Sequence, residues 1–435
     1  MSESLNPEQL QFLYNSAYDS ILELADEQGI AASSRQEAYG CLFGRDSAIS
    51  ILKLLEVYRK KPDTKLLEIC QRTLLTHTLL QGKRYTIESG EEPGKFIHEF
   101  RQSNYERLIN RPKPWYVYPD KILRNYDSVD ATPLLLIAYH RYWQITQDND
   151  FLLRVLPSVE AGLKWLMTDG DKDHDYFIEY ELPTERKFGG LVVQSWTDSH
   201  ACLTSVEGVF PAYPIAAVEV QAIAWLALKT WAEFFRDRVD RKRFATRLEH
   251  FADNLKLGFN QRFILRDASG KPIYAHQALD GHKQPISTIT GNPLLCLWAT
   301  FRSAHGNQEA IIESEMMNAW VERAFSEDMF DRHAGVRTMS QLSPTFDPSN
   351  HSYHNGSFWP VLNSMIYEGL VRWGFQAQAS ALRTASLLPL THFRCPIELY
   401  CSVEAGKYTE YISVTGKKGC RQQAWTAAAI LDWLS

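Results

Sequence analysis

The regular alternation between short and long links constrains the fold more than any other feature of this sequence. Apolar residues at helical spacing predict twelve helices. The first runs from a cap at Asn6 to a stop at Gly29, and the others lie near 46–60, 64–81, 129–146, 149–168, 214–237, 240–259, 292–302, 307–324, 357–374, 376–388 and 421–434. The links near 61–63, 147–148, 238–239, 303–306 and 375 are very short, whereas those near 30–45, 82–128, 169–213, 260–291, 325–356 and 389–420 are long.

Short links make neighbouring helices antiparallel, so strict alternation brings every long link to the same end of the helix bundle. Six hairpins closed into a ring then form an all-α (α/α)6 barrel, with one mouth built from long loops. No fixed-period repeat occurs, which argues against an open solenoid. We therefore expect residues 1–435 to form a single catalytic domain, with Tyr176–Glu181 and Leu191–Trp196 as short candidate strands.

Charge and hydropathy exclude several kinds of partner. The net charge of −6 comes from acidic and basic residues mixed along the chain, whereas nucleic acid and anionic membranes require a basic face. The N-terminus lacks a basic start followed by an apolar run, and no stretch of about 18 apolar residues occurs, so we expect neither a signal peptide nor a membrane span. The seven cysteines contain no CxxC pair, which favours packed thiols in a reducing compartment over a redox or zinc role. We predict a cytoplasmic protein.

Long structureless loops are usually functional, and here they hold the unusual polar residues. Arg45 and Asp46 begin a helix, where they are either a cap with a solvated neighbour or a pair that grips adjacent sugar hydroxyls. The second long loop carries His98, Glu99 and Arg101. Apolar residues surround these three, which argues against a solvated face.

The next candidates are three carboxyl groups. Asp130 precedes a predicted helix and is either its cap or part of the same site. Asp198 follows Trp196 by two residues, and an indole beside a carboxyl group excludes water, raises the pKa of the acid and suits a general acid. Glu219 lies farther along the same segment. A Trp-x-Asp pattern is weak evidence when it stands alone.

The last two long loops complete the candidate site. The fifth supplies residues of the kind that line a sugar: Tyr353, His354, Asn355 and Trp359. His354 is equally well explained as a structural histidine. The sixth holds Glu398 in an apolar run and ends at Gln423 and Trp425. Since an unpaired buried charge is costly, Glu398 requires either partners or a function.

Two carboxyl groups on separate loops are the minimum for glycoside hydrolysis, in which one protonates the departing oxygen and the other activates water or attacks carbon. Two alternatives remain open. A sugar epimerase or isomerase on a similar barrel would use His98 and His354 for proton transfer. A carbohydrate-binding protein without catalysis would retain the same sugar contacts.

Several motifs together resemble one known family. They are Phe-Gly-Arg-Asp-Ser at 43–47, Glu-Glu-Pro-Gly-Lys at 91–95, Ser-Val-Asp-Ala-Thr-Pro at 128–133, Trp196 with Asp198, Pro-Ile-Ala at 214–216, Ser-Tyr-His-Asn-Gly-Ser at 352–357, Pro396 with Glu398, and Gln-Ala-Trp at 423–425. In this order they resemble the amylo-α-1,6-glucosidase family, which includes the glucosidase portion of glycogen-debranching enzymes and its bacterial relatives. The resemblance covers nearly the whole chain.

The resemblance implies an (α/α)6 barrel that hydrolyses α-glucosides with inversion, uses no metal or organic cofactor, and acts on a small-molecule carbohydrate. It implies Asp198 as general acid and Glu398 as general base, with Arg45 and Asp46 holding the terminal glucose. The chain departs from the family pattern at Thr197, at Leu362 and at 419–422. These departures leave the glycone residues intact and the leaving group open. The linkage is also open, as is the choice between glucoside and mannoside, because the sugar contacts are inferred from the motifs.

Overall fold

The computed structural model describes residues 5–435, so residues 1–4 of the predicted domain lie outside the described part. Helices dominate the chain. They are α1 (Pro7–Leu24), α2 (Gly44–Lys60), α3 (Thr64–Leu80), α4 (Glu106–Ile109), α5 (Ala131–Thr146), α6 (Asn149–Leu166), α7 (Val218–Arg236), α8 (Lys242–Arg262), α9 (Leu295–Trp298), α10 (Ser314–Ala324), α11 (Pro360–Arg372), α12 (Gln376–Phe393) and α13 (Ala424–Leu434). Single 3-10 turns lie at His200–Cys202, Val239–Arg241 and Asn292–Leu294.

Short antiparallel strands lie in the links between helices. They are β1 (Ala25–Asp26), β2 (Gly29–Ile30), β3 (Leu42–Phe43), β4 (Glu99–Arg101), β5 (Leu123–Asn125), β6 (Ala216–Ala217), β7 (Ile264–Arg266), β8 (Pro272–Ala275), β9 (Ala278–Leu279), β10 (Pro285–Ile286), β11 (Phe301–Arg302), β12 (Gln308–Glu309), β13 (Phe330–Asp331), β14 (Gly335–Val336), β15 (Tyr400–Glu404) and β16 (Lys407–Glu410). Two sheets have three strands, in the orders β3–β4–β5 and β6–β9–β10, and the other pairs are hairpins.

Six helices contact one another in a closed ring, in the order α2, α5, α7, α9, α11, α13 and back to α2. Five others pack on the ring: α1 on α13, α3 on α2, α6 on α5, α8 on α7, and α12 on α11. Burial distinguishes the two sets, because α7 buries 15 of its 19 residues whereas α8 buries 6 of its 21. A helix that is apolar on all sides must be covered on all sides, so α7 lies inside and α8 outside.

The predicted helices are present with modest shifts of their ends, except near 292–302. There the chain forms only a 3-10 turn followed by the single turn of α9. Strands β11 and β12 pair across a turn in which Gly306 has a φ of 85°. Since strand pairing engages the backbone groups that a helix would need, this hairpin ends one predicted helix early and delays the start of α10 to Ser314.

The two strands predicted at 176–181 and 191–196 are wrong. In the first, the carboxylate of Asp171 accepts a hydrogen bond from the backbone N–H of Tyr176, whose φ is 73°, so the chain turns instead of extending. In the second, the backbone N–H of Leu191 donates to the carboxylate of Asp127 at 3.0 Å. Side-chain bonds of this kind engage backbone groups that a strand ladder would need.

The N-terminal ends of the ring helices meet at one end of the ring. Asp46 in α2 accepts a hydrogen bond from Gln423, which immediately precedes α13, at 2.9 Å. Arg45 donates to Asp130, which immediately precedes α5, at 2.7 Å. The long links that lead into these helices therefore converge at this end, as the alternation of link lengths predicted.

Two features of the described chain bear on the compositional predictions. All seven cysteines are unpaired, and all except the half-buried Cys395 are buried, which confirms that they pack as small apolar side chains. Among the helices of residues 5–435, none combines the length and the apolar character that crossing a membrane requires.

Deeper in the ring, a buried ammonium group joins three helices. Lys53 in α2 donates to the carbonyl oxygen of Ser364 at 3.0 Å and to the carboxylate of Glu368, both in α11. Its Nζ also lies 3.7 Å from the carboxylate of Asp432 in α13. Each of these two acidic side chains has a second cation, Arg372 for Glu368 at 2.7 Å and Lys60 for Asp432 at 2.9 Å, so Lys53 is the cation that they share.

Replacing Lys53 by Met is expected to lower the free energy of unfolding by about 1–3 kcal/mol, because it removes the cation shared by two carboxylates and leaves each with a single cationic partner. The midpoint of thermal unfolding measures the effect, with the exposed Lys65→Met of α3 as the matched control. Adding Glu368→Gln to Lys53→Met should recover part of the loss. A double variant whose loss equals the sum of the two single losses would contradict the proposed coupling.

Candidate active site

The guanidinium group of Arg45 ties two of the long loops to the first turn of α2, where it is buried. Its Nε donates to Asp130 Oδ2 at 2.7 Å, its Nη1 to Asp198 Oδ2 at 3.0 Å, and its Nη2 to the carbonyl oxygen of Ser195 at 2.9 Å. All three bonds use the rigid fork of one planar cation. Arg45 therefore sets the position of the segment that carries Asp198 relative to the start of α5.

The adjacent carboxyl group of Asp46 is buried and accepts a hydrogen bond from Nε2 of Gln423. Burial, together with the charges of Glu398 and Asp198, raises the pKa of Asp46 to about 8 although Arg45 opposes the shift. The group is therefore largely protonated at neutral pH. A neutral carboxyl group can donate a hydrogen bond as well as accept one.

Glu398 enters the same region from the sixth long loop and is only 2% exposed. Its Oε1 accepts a hydrogen bond from the hydroxyl of Tyr353 at 2.6 Å, and its Oε2 accepts one from the backbone N–H of Cys420 at 2.7 Å. Burial raises the pKa of Glu398, while these two donors oppose the shift. Both oxygens are thus held in a defined direction.

Asp198 and Glu398 have common neighbours. The charge of each raises the pKa of Asp46, Tyr39 and Tyr353. The hydroxyl groups of the two tyrosines lie 3.1 Å apart. The Asp198 side chain is 25% exposed, and burial raises its pKa against the effect of Arg45. Two carboxyl groups from separate loops therefore border one region, and one of them retains access to solvent.

An aromatic cluster forms one wall of this region. Trp196 makes edge-to-face contacts with His354 and Trp359, with ring centres 5.5 and 5.6 Å apart. His354 stacks on Trp359 at 4.9 Å, and Tyr353 and Trp425 meet Trp359 with their rings at steep angles. Aromatic rings interlocked in this way are rigid, and their faces suit the C–H surfaces of a sugar.

His354 has a defined tautomer in this wall. The backbone N–H of Ser199 donates to His354 Nδ1 at 3.3 Å, so Nδ1 is an acceptor and the ring proton is on Nε2. Burial lowers the pKa of His354 to about 3, which keeps the ring neutral. Nε2 has no hydrogen-bond partner among the described residues. With Trp425 Nε1, which likewise has no partner among the described residues, the wall contains two uncommitted donors.

A small cavity lies inside the ring and brings Glu219 near Asp130, Trp196 and Trp425. Its remaining lining is apolar and comprises Ile49, Leu134, Ile223, Leu295, Val361, Leu362 and Met365. Within residues 5–435, neither carboxyl oxygen of Glu219 has a hydrogen-bond partner. Burial, with a contribution from the charge of Asp130, raises the pKa of Glu219 to about 7.

Four of the predicted residues contact protein groups other than Asp198 and Glu398. Glu99 and Arg101 form a buried ion pair with each other. His98 packs edge-on against Phe43, with ring centres 5.2 Å apart. The Asn355 amide donates to two backbone carbonyl groups at 3.0 and 3.1 Å. These contacts position the loops, and a direct contact of these four residues with substrate stays a prediction.

The sequence interpretation missed four residues that border the site. Tyr39 bonds to Tyr353, and Asn292 accepts a hydrogen bond from the Trp196 indole at 3.0 Å. Neither stands in a recognisable motif. Cys420 contributes a backbone N–H, which no side-chain pattern can indicate, and Lys417 lies on an exposed turn.

The model of one protein family matches this chain. It is described as amylo-alpha-1,6-glucosidase, and it matches residues 91–432. The chain belongs to the amylo-alpha-1,6-glucosidase family. As a member of this family it is a glycoside hydrolase, which confirms the resemblance drawn from the motifs. The matched range includes both Asp198 and Glu398.

This chain also resembles individual proteins of known name or structure. A mannosylglycerate hydrolase of Thermus thermophilus, crystallised with Tris, has a TM-score of 0.64 at 16% identity, covering 97% of this chain and 100% of that one. The same enzyme crystallised with glucose has a TM-score of 0.63 at 16% identity, again covering 97% of this chain and 100% of that one. A glucosylglycerate hydrolase of Mycolicibacterium hassiacum is 33% identical over 101 residues, which span 23% of this chain and only 19% of that relative. These likenesses support a common, mostly helical fold.

The carboxyl group of Glu219 makes stability depend on pH. Its pKa rises from 4.5 to about 7 on folding, so the folded state keeps a proton that the unfolded state releases. The resulting contribution to stability is fully present below pH 4.5 and is lost as the pH rises through 7. Glu219→Gln removes this ionisation and keeps the shape of the side chain.

We therefore expect Glu219→Gln to be more stable than the wild type by about 3 kcal/mol at pH 8 and by only about 1 kcal/mol at pH 5. Thermal unfolding midpoints at both pH values test this expectation. The exposed Glu27→Gln is the control and should change little at either pH. A stability difference that is the same at both pH values would refute the assignment of the pH effect to Glu219.

Proposed function

We propose that this chain is an inverting, exo-acting glycoside hydrolase that removes a terminal α-glucosyl unit from a small α-glucoside or oligosaccharide, with α-1,6-linked substrates among the candidates. The observation that carries the proposal is the pair Asp198 and Glu398, which come from separate loops and share their neighbours Asp46, Tyr39 and Tyr353. Glycoside hydrolysis requires such a pair.

Asp198 is the general acid in this proposal. Arg45 engages its Oδ2, whereas Oδ1 accepts no hydrogen bond within the described chain and is free to protonate the glycosidic oxygen. Burial raises the pKa of Asp198. A bound sugar would displace water from the exposed quarter of the side chain, which raises the pKa of Asp198 further and favours the protonated form.

Glu398 is the general base. The Tyr353 hydroxyl and the Cys420 N–H each donate to one of its oxygens, and both bonds favour the ionised form. An ionised carboxylate can draw a proton from a water molecule on the side of the sugar opposite the leaving group. Inversion requires roughly 6.5–9.5 Å between the two carboxyl groups, so that this water fits between them.

The terminal sugar is held by groups at the N-terminal ends of the ring helices. Arg45 and the neutral Asp46 supply donors and an acceptor for adjacent hydroxyls, and the aromatic wall supports the ring face. Further buried polar atoms in the described part have no protein partner, and they are candidates for the remaining hydroxyls: His354 Nε2, Gln423 Oε1 and Trp425 Nε1. Unmade bonds of buried groups are costly, so sugar binding would relieve a cost already present.

The named relatives support a small leaving group. Two of the similar proteins are called mannosylglycerate hydrolase and glucosylglycerate hydrolase, and the first was crystallised with glucose in one case. The observed ring of six helices with five more packed on it supports an (α/α)6 barrel and a single catalytic domain. We propose both as the architecture of this chain.

The decisive experiment is a screen of α-glucosides and α-linked oligosaccharides, followed by proton NMR of the first-formed sugar. We expect β-glucose to appear first, because a water molecule attacks the face opposite the leaving group. Release of α-glucose would refute inversion. Absence of hydrolysis across the screen would refute the choice of substrate class.

Variants of the two carboxyl groups test whether this site forms the product. Asp198→Asn and Glu398→Gln should each reduce kcat/KM by about 10²–10⁴-fold, while the exposed Glu207→Gln in the same link as Asp198 serves as control. Exchange of a carbon-bound proton with deuterated water would indicate an epimerase instead. Sugar binding that survives in both variants, with no turnover in the parent, would indicate a binding protein.

Tyr353→Phe is expected to move the acidic limb of the pH profile of kcat/KM to higher pH. The Tyr353 hydroxyl lowers the pKa of Glu398, and a base must be ionised to act, so removing that donor delays its ionisation. The alkaline limb, which reports the acid, should move less. Unchanged limbs would argue against Glu398 as the base.

A further inference from the structure

Two cationic side chains flank the ring of Tyr39 at the edge of the site. Nζ of Lys417 lies 4.7 Å from the ring centre, and Cζ of Arg107 lies 5.6 Å from it. The same tyrosine bonds through its hydroxyl to Tyr353, which donates to Glu398. Both cations therefore contact a tyrosine that belongs to the hydrogen-bond network of Glu398.

Neither cation forms an ion pair in the described part of the chain. No carboxylate of residues 5–435 lies within 4.0 Å of Lys417 or Arg107, and Nε of Arg107 is buried without a hydrogen-bond partner. The acidic side chains nearby have other partners, Glu99 in Arg101 and Glu410 in Lys418 and Arg421. Glu398 attracts Lys417 through its charge, but both of its oxygens accept hydrogen bonds from Tyr353 and Cys420.

The two cations also repel one another. Partial desolvation and the charge of Arg107 lower the pKa of Lys417, and burial and the charge of Arg101 lower the pKa of Arg107. Like charges held together without an anion destabilise a fold. A bound anion would remove this cost, so the region favours an anionic ligand over a neutral one.

The backbone holds both cations close to the site. Lys417 ends a tight turn, in which the Ser413 N–H donates to the Lys417 carbonyl oxygen at 2.7 Å, and three residues later Cys420 donates to Glu398. Arg107 donates through Nη2 to the carbonyl oxygen of Ala38, the residue before Tyr39. The cations are thus anchored to the same segments that carry the catalytic network.

We propose that Lys417 and Arg107 form a subsite for an anionic group, a carboxylate or a phosphate, on the leaving group of the substrate. This inference rests on the proposed function, because in an exo-acting enzyme the terminal sugar fills the inner end of the site and the leaving group points to its rim. Charge-assisted hydrogen bonds from two cations select such a group strongly.

The test compares substrates that differ only in this charge. Glucosylglycerate, glucosylglycerol phosphate and the neutral glucosylglycerol are compared by kcat/KM. We expect at least one charged substrate to exceed the neutral one about tenfold or more. A preference for glucosylglycerate identifies a carboxylate ligand, and a preference for the phosphate identifies a phosphorylated one. The advantage should fall as ionic strength rises.

The charge of Lys417 also lowers the pKa of Glu398, so the readout is the ratio of the two substrates. Lys417→Gln should reduce kcat/KM for the preferred charged substrate about tenfold more than kcat/KM for glucosylglycerol. Arg107→Gln should act in the same direction. Since the side chain of Lys417 is exposed, we expect the Lys417→Gln variant to fold like the wild type. Lys418→Gln is the matched control, because that neighbouring ammonium already pairs with Glu410 at 3.0 Å.

The outcomes separate this inference from the proposed hydrolase. Equal hydrolysis of charged and neutral glucosides would overturn the anionic subsite and leave the hydrolase intact. If no glucoside is cleaved, the proposed function is wrong. The anionic subsite is then tested by the change in thermal unfolding midpoint on adding free glycerate, glycerol or inorganic phosphate. Stabilisation of the wild type by glycerate or phosphate, reduced in Lys417→Gln, would support the subsite, and the absence of any shift would overturn it.

Discussion

The buried guanidinium group of Arg45 is the interaction on which the rest of the site depends. Its three donors fix Asp130, Asp198 and the backbone at Ser195 relative to the first turn of α2. These groups are 85 to 153 residues distant along the chain from Arg45. A lysine could not replace this geometry, because a single ammonium group lacks the planar fork that reaches three acceptors in fixed directions.

Around this cation the fold collects more acidic groups than it can pair. Burial raises the pKa of Asp46 to about 8 and the pKa of Glu219 to about 7. At neutral pH, Asp46 is therefore mostly protonated, and Glu219 is protonated in about half of the molecules. The other buried carboxylates are stabilised by hydrogen-bond donors, as Glu398 is by Tyr353. The site thus accumulates protonatable groups with raised pKa values, which is the condition that acid–base chemistry near neutral pH requires.

Much of the fold was predictable from the chain. The helices other than α4 and α9, and the convergence of the long links, follow from apolar spacing and link length, which are local properties. The failures were also local in origin: Asp171 turns the chain at Tyr176, and the β11–β12 hairpin replaces the end of a helix. Side-chain bonds to the backbone and pairings across a turn carry no periodic signal, so the pattern of hydrophobicity could not reveal them.

The sequence by itself determined the helical framework, the family and the motif residues, because helical periodicity and short motifs are properties of the order of residues. Only the tertiary structure decided which of these residues act together. It joined Arg45 to Asp198 and Tyr353 to Glu398, and it directed Glu99 and Arg101 toward each other. It also brought Tyr39, Lys417 and the Cys420 N–H to the site. Contacts between remote segments and the use of backbone groups depend on three-dimensional packing, and residue identity alone does not encode them.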